Sequence, residues 1–203
     1  MRSQQEAISI WRQKQDVSAS VVLRMSLEAQ PLDGPMSRPR QGRRRRFATV
    51  LSMKTFETLA DLAACVGQDV AVSDWITIAQ EQVNLFAQAT GDHQWIHVDV
   101  ERARQGPFGA PVAHGFLTLS LLPAFFESAM TVRQSSIGVN YGLNKVRFTA
   151  PVPVGSRLRA HLRLLSAEPI AGHGLQMCWA VSVEREGLDK PVCVAESLVR
   201  RYP

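Results

Sequence analysis

Apolar residues recur at helical spacing through the first part of residues 53–130 and alternate with polar ones beyond Met130, so helices come first and a sheet afterwards. Leu59, Leu62, Ala63 and Val66 predict a helix over 56–66 that Gly67 closes. Val70-Ala71-Val72 reads as a short strand. Ala79, Val83, Phe86, Ala87 and Thr90 form a second helical stripe, with Thr77 and Gln80 in capping-box spacing at its start. Gly91 ends it where a left-handed residue is wanted. Asp99 opens a short polar helix through Ala103. From His114-Gly115 to about Met130 the chain is apolar on nearly every helical face, so that helix must be enclosed. Pro123 inside it predicts a kink or a break.

Ile137, Val139, Tyr141 and Leu143 keep one alternation phase, and Asn144, Val146 and Phe148 keep the other. The slip falls beside Gly142 and predicts a β-bulge. Residues 151–155 read as a turn. Leu158, Ala160, Leu162 and Leu164 then alternate with Arg157, Arg159, His161 and Arg163 in a half-buried strand. Gly172-His173-Gly174 is a hairpin turn, and strands over 175–183 and 192–199 follow. Consecutive long strands with short turns make an antiparallel sheet. The layered solution is α+β, with the sheet wrapped around a long central apolar helix.

Charge divides the chain into two parts. Residues 1–52 carry 10 Lys+Arg against 4 Asp+Glu, while residues 53–203 carry 13 against 14. The overall charge of +5 therefore belongs to a basic leader rich in Pro and Arg, including Arg43-Arg44-Arg45-Arg46. Such a segment cannot bury enough apolar area to offset its ordering entropy and is expected to be disordered. Met53 is a candidate true start, since it opens the first periodic segment. The near-neutral domain of 53–203 gives no reason to expect nucleic acid as a partner. The apolar run 116–126 is shorter than the roughly 20 residues a membrane span requires. Three cysteines without paired spacing, Cys65, Cys178 and Cys193, suit free thiols in the cytoplasm. No GxSxG elbow, GxxxxGK[ST] loop or GxGxxG turn occurs, which removes support for triad hydrolases, NTPases and nicotinamide enzymes.

Candidate chemistry concentrates between Thr90 and Phe116. Asp92 follows the end of a helix, where the macrodipole disfavours a carboxylate, so it is not there as a cap. Asp92 and His97 could flank one water as an acid/base pair, provided their pKa values are pushed apart. Adding water to a double bond conjugated to a carbonyl also needs a donor for the enolate oxygen. A backbone N–H near Gly115, at a helix start, suits that task and leaves room for a thioester. The bland alternatives stand beside these. Asp92 and His97 could simply bond backbone groups in a loop, and His114 is either a substrate contact or a structural histidine. Asn144, Lys145 and Arg147 could reach a ligand or merely pair across an exposed face. Trp95 and Tyr141 read as core or tunnel wall. Asp92, His97 and Asp99 are spaced too loosely for a metal site, and neither metal nor other cofactor is expected.

The run Thr90-Gly91-Asp92-His93-Gln94-Trp95-Ile96-His97-Val98-Asp99, with Phe108-Gly109 and Ala113-His114-Gly115-Phe116-Leu117 downstream, resembles the MaoC-type dehydratases. It is most similar to their nodulation-protein-N-like branch of R-specific enoyl-CoA hydratases, in which Gln94-Trp95 replace the commoner Asn-Pro. Residues 141–148 and 151–155 extend the likeness, which covers about 53–201. The resemblance implies a hotdog fold and a homodimer joined sheet edge to sheet edge. It also implies an acyl-CoA or acyl-carrier thioester substrate, with Asp92 and His97 catalytic and an oxyanion donor near Gly115. His114, Phe108 and Asn144 are the further candidates for substrate contact. Two other readings remain open: a non-catalytic acyl-thioester-binding dimer, and a thioesterase on the same fold.

Overall fold

The computed structural model describes residues 53–203, and the expected leader of 1–52 lies outside the described residues. Two strands, β1 (Lys54–Phe56) and β4 (Met130–Val132), pair in parallel. The main sheet contains β2 (Asp69–Val72), β3 (Ile76–Thr77), β5 (Ile137–Phe148), β6 (Arg157–Ile170), β7 (Gly174–Arg185) and β8 (Cys193–Tyr202). Its order is β2-β6-β7-β8-β5, with β3 also on β6, and every pairing is antiparallel. Six short helices complete the domain: α1 (Leu59–Ala63), α2 (Gln80–Thr90), α3 (Trp95–Val98), α4 (Val100–Arg104), α5 (Gly115–Ser120) and α6 (Leu122–Ala129).

Period-two alternation sends Leu158, Ala160, Leu162 and Leu164 of β6, and Met177, Trp179, Val181 and Val183 of β7, into the core. Leu117, Leu122, Phe125, Phe126 and Ala129 of α5 and α6 join them in one cluster. Phe126 meets Trp179 edge to face at 5.2 Å between ring centroids. Each fully buried large aliphatic or Phe side chain of this core, such as Phe125 or Leu158, contributes about 1.5–3 kcal/mol of transfer free energy. The α+β layout expected from the hydrophobic pattern is therefore present.

Local departures have local causes. Phe56 is in β1 rather than a helix; α1 starts only after Thr58, whose hydroxyl accepts from the Asp61 N–H while the Asp61 carboxylate accepts from the Thr58 N–H. The single long helix is two, broken at Leu121, because Pro123 fits the first turn of α6 but not a helix interior. Nor is it enclosed on all sides, since Phe116 is 67% exposed. Tyr141 is exposed on the edge strand beneath Arg200, not in the core, and Trp95 is half-buried under Arg102. The β5–β8 ladder shifts register between Asn140 and Gly142, the site expected for a bulge, and again between Leu143 and Lys145. Gly172 and His173 both take positive φ in the β6–β7 hairpin, the backbone a tight primed turn requires.

Candidate active site

Two turns and a clamped segment build the site. Helix α2 ends at Gly91, whose φ of 77° and N–H bond to the Ala87 carbonyl stop it and redirect the chain. Thr77 lies in β3 and does not cap α2. The side chain of Gln82 instead accepts from the Ala79 N–H at 2.9 Å. The one-turn helix α3 then carries His97 inward, and Asp99 both ends α3 and caps α4 by accepting from the Arg102 N–H at 3.1 Å. Opposite them, residues 111–113 are held on both sides. The Val112 N–H donates to the Ile96 carbonyl, the Ala113 N–H to Val152, and the Val154 N–H to Pro111. The site thus rests on the 151–154 turn as well as on the helices.

Onto this frame the two histidines are locked by backbone carbonyls. His97 Nδ1 lies 2.6 Å from the Val112 oxygen, and His114 Nε2 lies 2.9 Å from the Asp92 carbonyl oxygen. A carbonyl only accepts, so both of these ring nitrogens carry the proton in the neutral rings. His97 Nε2 and His114 Nδ1 are left as acceptors, and His114 Nδ1 is buried with no partner. The rings stack, with centroids 3.8 Å apart and planes 27° from parallel. One titratable atom each from Asp92, His97 and His114 lies within 4.8 Å of the other two. Asp92 is half-buried, and its Oδ1 receives the Gln94 N–H at 3.4 Å.

Burial pushes the pKa of His97 below its ordinary 6.5, aided by the neighbouring His114. The Val112 bond and the Asp92 charge oppose the shift without cancelling it. A neutral imidazole with one free acceptor nitrogen beside a carboxylate is the arrangement a proton-abstracting pair needs. Asp, His and His also suit a divalent cation by type.

The other candidates separate. His114, at the N-cap of α5, joins Asp92 and His97, and Gly115 follows it as the first residue of α5. A Cβ on Gly115 would sit 2.7 Å from the Phe148 ring, so glycine there lets α5 pack against β5; that space is not left open for a thioester. Phe108 is 40% exposed on the loop before residues 111–113. Asn144 belongs to another part of the molecule, where its amide faces Cys178 at 3.9 Å, and the structure does not bring it together with the Asp92 loop. His93 is exposed. Gln80 was missed as a site residue because its spacing from Thr77 suggested a cap. Its Nε2 donates to the His97 carbonyl at 2.8 Å and ties the start of α2 to the turn of α3.

Residues 61–174 match the family model described as MaoC like domain. The 3-hydroxyacyl-thioester dehydratase Z of Mycobacterium tuberculosis is 59% identical over 148 residues, covering 73% of this chain and 98% of that protein. Nodulation protein N of Rhizobium leguminosarum bv. viciae is 45% identical over 140 residues, covering 68% of this chain and 87% of that protein. Among solved structures, the unliganded R-hydratase PhaJ1 from Pseudomonas aeruginosa superposes with a TM-score of 0.51 at 27% identity, over 66% of this chain and 79% of that one. These likenesses bear out the hotdog architecture that the motif resemblance implied. Fold, motif and relatives agree: the chain belongs to the MaoC-like dehydratase family.

Proposed function

We propose that this protein is an R-specific enoyl-CoA hydratase, adding water reversibly to a trans-2-enoyl thioester to give the (R)-3-hydroxyacyl thioester. The chain is a hydro-lyase acting on hydroxyacyl thioesters, and the observation that best supports this reading is the convergence of Asp92, His97 and His114 within 4.8 Å. Because His97 Nδ1–H is committed to Val112, a water proton goes to Nε2. The carboxylate of Asp92 accepts the other water hydrogen and aims the oxygen. As that oxygen bonds to C3, the double-bond electrons move onto the thioester oxygen. They return to take a proton at C2 from the Asp92/His97 pair, which passes on the proton taken from water and ends as it began.

The Gly115 N–H, in the first turn of α5 where N–H groups lack helical acceptors, serves the enolate oxygen. A donor of this kind typically contributes about 2.7–4 kcal/mol to the barrier. Phe108 gives the thioester arm an apolar contact. The protein works as a homodimer joined through β5, the edge strand that exposes Ile137, Val139, Tyr141 and Leu143. Asn144 then lies at the seam, and ligand contact through it comes by way of the dimer. Among the described residues no helix is long and apolar enough to cross a membrane. The three cysteines are all free, which suits the reducing cytoplasm.

The test is a series of trans-2-enoyl-CoA chain lengths, followed by loss of the enoyl-thioester absorbance and by chiral analysis of the product. Hydration with an (R)-3-hydroxyacyl product is expected. Release of free thiol would indicate a thioesterase, an (S)-product would refute the stereochemistry, and binding without turnover would leave an acyl-binding dimer. For the dimer, Leu143→Asp is expected to halve the mass measured by sedimentation, and an unchanged mass would refute the β5 interface.

A further inference from the structure

His114 can act in two ways: by touching substrate, or by holding the two catalytic groups in place. It is 3% exposed, and two rings pack against it, His97 stacked at 3.8 Å and Phe86 tilted at 5.0 Å between centroids. Its donor nitrogen is used by the Asp92 carbonyl. That bond joins residue 114 to residue 92 directly at the point where the chain leaves Gly91. The hydrogen bonds nearby reach one member each: the Gln80 side chain bonds the His97 carbonyl, and the Gln94 N–H bonds the Asp92 carboxylate. The ring also has one buried nitrogen, Nδ1, with no partner. A purely structural histidine at a helix start is expected to satisfy both nitrogens. Here one is left as a bare acceptor beside the carboxylate and the second imidazole.

We infer that His114 is a positioning residue for hydration: its Nε2–H anchors the Asp92 backbone while its ring fixes the face of the His97 imidazole. The inference rests on the proposed hydratase reading and assigns His114 a role distinct from substrate binding. The neighbouring charged or titratable groups that face His97 are Asp92 and His114 themselves, so removing the second imidazole removes one of the two influences that keep His97 neutral.

Two variants divide the roles. His114→Phe keeps a stacking ring and loses the donor; His114→Gln keeps an amide N–H at similar reach and loses the ring. With crotonyl-CoA, His114→Phe is expected to lower kcat by at least about tenfold with KM within about threefold of wild type, because misplacement of reacting groups is felt in turnover. His114→Gln is expected to recover part of that kcat. NMR titration of the His97 ring gives a readout that needs no turnover, and its pKa is expected to rise in both variants. A raised KM with unchanged kcat would instead make His114 a substrate contact. Unchanged kcat and an unchanged His97 titration would make it structural and end the proposal. Should wild-type protein itself fail to hydrate enoyl-CoA, the hydratase reading falls, while the His97 titration still decides whether His114 controls that ring.

Discussion

The turn around His97 and the outer face of the sheet contain the same kinds of side chain and use them in opposite ways. On the sheet, His161 and Arg159 both bond Glu184, Lys145 pairs with Glu196 at 2.7 Å, and Arg157 pairs with Glu186 at 3.1 Å. Each of these groups is answered by an opposite charge near solvent. In the turn, His97 and His114 are answered by backbone carbonyls, which fix one nitrogen of each ring and leave the other free. Charges that neutralise one another have little left for a ligand. Rings held by the backbone keep a lone pair available in a buried site, where it acts more strongly than in bulk water. Distinguishing the two therefore depends on what each group is bonded to rather than on residue type.

The largest expected effect that sharpens the contrast is His97→Ala, predicted to lower kcat for crotonyl-CoA hydration by roughly 10²–10⁴-fold, the usual range for an acid/base group. His161→Ala on the sheet is predicted to leave kcat within about twofold. Comparable losses in the two variants would erase the distinction.

The next effect is in pH. Burial lowers the His97 pKa, so the neutral ring persists as pH falls through 6.5, and the acid limb of kcat/KM is predicted below that value. The folded protein then binds fewer protons at His97 than the unfolded chain does. Stability is predicted to fall as pH drops through 6.5 and to level off below the folded pKa. An acid limb at or above 6.5 would contradict the burial that lowers the His97 pKa.

A smaller effect concerns support. Gln80→Ala removes the bond to the His97 carbonyl and is predicted to cost about 1 kcal/mol, a fall in Tm of about 2–4 °C by calorimetry. Smallest is Glu184→Gln, with about 0–1 kcal/mol lost in a urea titration and no change in kcat.

What could be read in the sequence was local. Gly91, Asp99, the break at Pro123 and the bulge at Gly142 each depend on a few neighbouring residues, and each is present. Asp92 and His97 were legible because their spacing within one loop brings them together. His114 joins them from 22 residues along the chain, and its stacking on His97 depends on how residues 111–113 dock against the 151–154 turn. Gln80 looked like a cap because Thr77 stands three residues before it, but pairing with β6 takes Thr77 into a strand. Alternation in residues 137–143 marked a strand without revealing that β5 lies at an edge.

The central claim is that the carboxylate of Asp92 aims the water that His97 deprotonates. Crotonyl-CoA hydration measured side by side for wild type and Asp92→Ala, with matched folding by circular dichroism, tests it most directly. The account predicts turnover to (R)-3-hydroxybutyryl-CoA by wild type and a roughly 10²–10⁴-fold lower kcat in the variant. Turnover by Asp92→Ala within threefold of wild type would contradict it.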